Sequence, residues 1–256
     1  MIYFVLVLFA GLVMIPSEAL AWGPLSHIYF GSEILSLSPL LPAGIYSLIR
    51  KYKQDFIYGN MMADIIVGKK YMPREKNCHS WKVGMSLLDS AESKHQKAFV
   101  YGYLSHLAAD TVAHRILTRH KRNISHAFYE VKADSLIDPT YWHQAMAIES
   151  KVQKRNDKFL ERSLERFVFS FKTNKRIFQS MLVMSRLNNG MSDFLDENLP
   201  FRYVPNRKLI EELQEESIDR IIDVLNNGKE SAVLNESPRC KVRSRRRSLL
   251  LPPFKT

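Results

Sequence analysis

Apolar residues along this chain recur mostly at steps of three and four, and strict apolar–polar alternation is nearly absent. That period belongs to helices with one buried face, not to strands. The spacing predicts helices over 25–36, 42–57, 60–67, 79–90, 94–118, 124–137, 140–154, 157–172, 174–187 and 205–227. Pro139 and Pro205 mark helix starts, and Asn188, Asn189 and Gly190 mark a helix stop. Gly59 and Gly68 read as turn points on either side of the segment that holds Asp64. No repeat of fixed period is present, and the 256 residues suffice for one sizeable core. The expected fold is all-α, a single-domain, multi-helix body.

Two segments fall outside this pattern. Residues 1–15 contain no charged side chain, and Ala19, Leu20 and Ala21 satisfy the small-residue rule for signal-peptidase cleavage. Residues 1–21 are therefore expected to be a signal peptide. Export to the periplasm or the medium follows, with an uncleaved membrane anchor as the alternative. At the other end, six Lys and Arg crowd between Arg239 and Arg247, beyond the last acidic residue, Glu236. The helical domain is expected over 22–235, and a basic, disordered tail over 236–256.

The net charge of +11 suits an anionic partner, such as a membrane surface met through the basic tail. Nucleic acid fits that charge as well. Two cysteines, Cys78 and Cys240, are too few for a disulfide framework.

Candidate chemistry concentrates between residues 106 and 130. His106, Asp110 and His114 are spaced by four, as are His126 and Glu130, so each set lies on one helix face. An apolar run from Phe99 to Leu104 leads into the first set, which predicts a buried helix with a polar stripe. Such groups are costly to bury unpartnered, and a metal ion is the natural partner for imidazole beside carboxylate. His27, Asp64 and His79 add further metal-ligand side chains upstream. Cleavage after Ala21 would leave Trp22 with a free α-amino group of pKa near ~8, which loses its proton to a metal at little cost near neutrality. Together with its own carbonyl oxygen, that amine forms a five-membered chelate.

This constellation resembles the bacterial zinc-dependent phospholipase C family, which shares its helical fold with fungal single-strand zinc nucleases. The matching positions run in the family's order from Trp22 to Glu130. The resemblance implies three zinc ions. His79, His106, Asp110 and Asp64 would hold one, and His114, His126 and Glu130 a second. The Trp22 amine and carbonyl, His27 and a bridging Asp110 would hold the third. Asp64 matches the carboxylate that serves as ligand or general base for the attacking water.

The interval of four between Asp110 and His114 is similar to that in the N-terminal domain of glycosylphosphatidylinositol-specific phospholipase D. Glu130 follows the phospholipases, where the nucleases carry Asp. The interval from Trp22 to His27 instead resembles the nucleases. The implied activity is hydrolysis of a phospholipid headgroup ester. The alternatives are a secreted single-strand nuclease and a non-catalytic, zinc-stapled lipid-binding protein. His95, His120 and His143 match no motif position and read as surface or supporting residues. Cys78 is left out of the ligand set. Trp81, Tyr101, Tyr103, Phe128, Tyr129 and Trp142 read as core, with pocket lining as the alternative.

Overall fold

The computed structural model describes residues 22–65, 77–117, 130, 132–164, 170–187 and 206–239. The side chains of Ser38, His114 to Leu117, Met181 and Met184 to Leu187 are excepted. Among the described residues the protein is all-α, without strands. Its helices are α1 (Pro24–Ser36), α2 (Ala43–Lys51), α3 (Lys53–Met62), α4 (Trp81–Asp89), α5 (Lys94–Leu117), α6 (Trp142–Met146), α7 (Ser150–Ser163), α8 (Phe171–Leu187) and α9 (Arg207–Asn227). Short 3-10 turns occupy Ser38–Leu40, Pro139–Tyr141, Gly228–Glu230 and Ala232–Asn235. Residues 132–135 are helical as well. No helix among the described residues is long and apolar enough to cross a membrane.

The 24-residue α5 is the axis of the fold, and α3 makes the most extensive contact with it, followed by α9. Gly59 is not the turn point its residue type suggests. It lies inside α3, where a Cβ would drive into the backbone carbonyl of Phe99 on α5. Gly102 is its counterpart, since a Cβ there would strike the carbonyl of Phe56. Two glycines facing each other let the two backbones touch, and this contact fixes how α3 lies against the histidine helix. Phe30, Phe56, Phe99 and Tyr103 fill the core around the crossing.

The predicted helix over 42–57 divides at Tyr52, whose backbone leaves helical geometry (φ −113°, ψ 43°). The chain resumes as α3 and runs on through Met62, absorbing the start of the helix expected at 60. Beyond the kink Asp55 is buried and faces α7, where it accepts the Arg155 guanidinium and the Asn156 amide (2.7 Å). The same pairing corrects the boundary expected between residues 154 and 157. Asn156 also donates to the Val152 carbonyl (3.0 Å), and Asp157 accepts from Tyr58 (2.5 Å). The polar run is therefore an interface inside one continuous helix. The actual break comes at 147–149, where Gln54 accepts the Glu149 N–H (3.1 Å).

Helix α9 starts at Arg207 with Asn206 as its cap, one residue beyond Pro205, and ends at Gly228, whose φ of +54° favours glycine. Glu236, placed at the start of the tail on sequence grounds, is docked on the body. Its carbonyl accepts from Trp81 Nε1 (2.8 Å), and its carboxylate pairs with Arg220 (2.7 Å). Pro205, Gly68, the 188–190 stop and the basic run from Cys240 onward lie outside the described residues.

Candidate metal centre

Helix α5 supplies His106 and Asp110 on one buried face, as their spacing predicts. His79 comes from the turn before α4, Asp64 from just beyond the end of α3, and His27 from the first turns of α1. All five side chains are buried, and their ligand atoms converge. His79 Nε2 lies 3.2 Å from Asp64 Oδ1, 3.1 Å from Asp110 Oδ2 and 3.0 Å from His106 Nε2. His106 Nε2 lies 3.3 Å from Asp110 Oδ2 and 3.8 Å from Asp64 Oδ2. The other Asp110 oxygen, Oδ1, faces His27 Nε2 at 3.4 Å. His27 stacks on His106 with ring centroids 3.6 Å apart. Two groups that could hold a metal result, His27–His106–Asp110 and Asp64–His79–His106, with ligand atoms within 4.8 Å of one another in each.

Several neighbours orient these rings. The Asn60 carbonyl accepts from His106 Nδ1 (2.8 Å), which puts a ring proton on Nδ1 and turns Nε2 into the site. Cys78 Sγ lies 3.3 Å from His79 Nδ1, and Asn77 accepts the His79 backbone N–H (2.9 Å). The Tyr103 hydroxyl donates to the Cys78 carbonyl (2.5 Å), tying this turn to α5. Burial pushes the Asp110 carboxyl up, but the surrounding imidazoles, His106 foremost, outweigh it and hold the group well below the usual carboxylate range. Burial, reinforced by His106, lowers the pKa of His27 and favours its neutral form, the form a metal needs.

The donor set fits a divalent ion. Both Asp110 oxygens and both His27 nitrogens are buried without a hydrogen bond. Unaligned polar contacts of this kind are costly unless a cation lies among them. A tetrahedral zinc site with arms of ~2.0–2.1 Å has ligand-to-ligand edges of about 3.4 Å. The His79, His106, Asp110 and Asp64 separations fall close to that edge.

Trp22 is buried, its indole N–H donating to the Ala109 carbonyl (3.0 Å) beside Asp110 and its ring edge-on to Phe30. Glu130 is also buried. His114 lies on α5, but its side chain is outside the described set, as is all of His126. Among the unassigned histidines, His95 is part-exposed with Nδ1 3.6 Å from Asp55, and His143 is exposed. His120, Phe128 and Tyr129 are outside the described residues. Tyr103 and Trp142 are core, while Trp81 and Tyr101 are half-buried.

Sequence reasoning missed the residues that build the site's frame, Asn60 and Asn77 above and also Asp134. Asp134 accepts the backbone N–H groups of Leu25 (3.1 Å) and Ser26 (2.9 Å) and the Ser26 hydroxyl (2.7 Å). It thereby caps α1, whose own N-cap residue, Gly23, has no side chain. A Cβ on Gly23 would overlap the Asp134 carboxylate. The available signal was slight: Asp134 follows Glu130 by one helical turn.

Residues 26–176 match the family model described as zinc-dependent phospholipase C, a span that includes every predicted ligand except Trp22. No curated protein and no solved structure matches the chain. A match over more than half of the length, together with a buried His/Asp cluster able to hold metal, places this chain in the zinc-dependent phospholipase C family.

Proposed function

We propose that the protein is an exported phosphodiester hydrolase of the phospholipase C type, which uses zinc to cleave the headgroup from a phospholipid. The observation that carries this reading is Asp110, whose Oδ1 faces His27 while its Oδ2 faces His79 and His106. A single structural zinc needs only one closed set of four ligands, whereas a shared carboxylate suits a site of more than one ion. Three ions are proposed, with Trp22, His27 and Asp110 on one and His79, His106, Asp110 and Asp64 on another. His114, His126 and Glu130 would hold the third. Bound zinc would neutralise the phosphate charge, lower the pKa of the attacking water and stabilise the departing alkoxide.

The chain's own residues do the rest. Asn60 keeps His106 Nε2 aimed into the site, and Cys78 and Asn77 hold His79 in register. Asp110 stays ionised among its imidazoles. Asp64, held from a segment just beyond α3, orients the attacking water or accepts its proton.

The test is incubation of protein beginning at Trp22 with mixed phospholipid vesicles, with and without a chelator, read by mass spectrometry. Chelator-sensitive release of diacylglycerol and phosphorylated headgroup is expected. Release of phosphatidic acid would move the cut to the other ester bond. No product from folded, zinc-loaded protein would overturn the reading in favour of a nuclease or a zinc-stapled binding protein.

A further inference from the structure

Away from the metal centre, α3, α6, α7 and α8 enclose an apolar cleft of about 190 Å³. Met61 and Met62 line it shortly before the chain reaches Asp64, opposite Trp142, Phe178 and Leu182. At its edge stand Met146 (49 % exposed) and Val183 (60 % exposed). Only one other large hydrophobic residue among those described, Leu40, is comparably exposed. Two of the three thus sit at one opening, a concentration that marks a surface for an apolar partner.

The surrounding charge identifies that partner. Helix α7 carries five Lys and Arg against two carboxylates, and α8 carries four against none. Helix α9 has the reverse balance, three against six. Lys154, Lys158, Arg162, Lys172 and Arg176 are exposed. Lys175 lines the cleft itself, paired with Asp157. Apolar side chains at an opening, framed by two cationic helices, match the headgroup and upper acyl region of an anionic bilayer.

We infer that the face around this cleft, with Met146 of α6 and Val183 of α8 exposed on it and the basic side chains of α7 and α8 beside it, docks the protein on anionic phospholipid membranes. The inference rests on the phospholipid reading above but has a readout of its own. Zinc-loaded protein would be purified from expression of the full chain, and its N-terminus checked by mass spectrometry. Sedimentation with phosphatidylcholine vesicles, with and without phosphatidylglycerol, should show preference for the anionic vesicles that weakens with salt.

The quadruple variant Lys154→Glu, Lys158→Glu, Lys172→Glu, Arg176→Glu should bind these vesicles about 100-fold more weakly. Met146→Glu with Val183→Glu should lose about 10-fold or more. Both variants should keep the wild-type melting temperature and wild-type hydrolysis of a monomeric short-chain phospholipid. Serine at Arg243, Arg245, Arg246 and Arg247 should leave vesicle binding unchanged. Vesicle binding lost only in the serine variant would overturn the inference. So would charge reversal that abolished single-stranded DNA binding and spared vesicles. Wild-type hydrolysis of the short-chain substrate without anionic-vesicle preference would sink the docking face and leave the proposed activity standing. Vesicle binding without hydrolysis would do the opposite.

Discussion

His79 and His106 aim their Nε2 atoms at each other across 3.0 Å, although 27 residues separate them in the chain. Asn60 accepts from His106 Nδ1, which turns Nε2 towards His79. Two ring nitrogens in that position repel unless a proton or a cation lies near both. Removing the metal should therefore destabilise the fold and not merely inactivate it. With zinc at about 1,000 times its dissociation constant, binding contributes ~4 kcal/mol, or roughly 10 °C in Tm for a domain of this size. Thermal melting with and without a chelator checks this. An unchanged Tm would argue against a metal among these side chains.

Asp64 is 7 % exposed and approaches the cluster from just beyond the end of α3. Asp64→Asn keeps its volume but removes its charge and basicity. Phosphodiester hydrolysis should fall by about 10²–10⁴-fold, with Tm little changed in a variant that retains its zinc. Zinc content, measured by elemental analysis, separates the two roles open to this carboxylate. Retained zinc with lost turnover marks a base, and lost zinc marks a ligand.

Asp134 ties the start of α1 to the segment that carries Glu130. Asp134→Ala leaves two backbone N–H groups and a hydroxyl unsatisfied and should cost about 2–3 kcal/mol, a drop of roughly 5–10 °C in Tm. Asp134→Asn keeps one acceptor and should cost about half as much. Gly23→Ala should resemble Asp134→Ala, because its methyl group would displace the carboxylate. Calorimetry of the three variants tests the cap, and a harmless Asp134→Ala would refute it.

Gly59 and Gly44 make a matched pair of helical glycines. A methyl group at Gly59 meets the α5 backbone, which cannot move aside, so Gly59→Ala should lose about 3 kcal/mol or more. At Gly44 nothing lies within 4 Å, and alanine there should stabilise α2 by up to ~1 kcal/mol. Denaturant unfolding of both variants should give shifts of opposite sign.

Tyr141 donates to the Glu33 carboxylate (2.7 Å), and this hydrogen bond, aided by burial, pushes its pKa up to about 12. A phenol raised on folding contributes stability that is complete below its unfolded pKa of ~10 and is lost as pH rises through the folded value. Wild-type protein should therefore lose stability between about pH 10 and 12 faster than Tyr141→Phe. Parallel melting curves for the two proteins would show slopes that differ in this direction, and equal slopes would exclude the link.

Much of the site was legible before the fold. His106 and Asp110 share a face because a helix repeats every 3.6 residues, a local rule that the sequence displays directly. His27, Asp64 and His79 were recognisable by residue type and order, and the structure brings all three to the α5 pair. The frame around them was not legible. The Asn60 carbonyl, the Asp134 cap and the Gly59–Gly102 contact join residues 46, about 110 and about 43 positions apart, and no local periodicity encodes such pairings. Gly59 shows the difficulty well, since glycine serves a turn and a helix crossing equally and only a neighbouring backbone tells them apart.

By itself, then, the sequence determined the helical class, the polar stripe of α5 and the residue types of the candidate site, because each follows from short-range spacing and the chemistry of single side chains. Only the tertiary structure decided which atoms meet, with Asp110 Oδ1 facing His27 and Oδ2 facing His79 and His106. It alone brought Met146 of α6 and Val183 of α8 to one cleft. Both arrangements depend on how helices cross, which is set by packing among residues far apart in the chain.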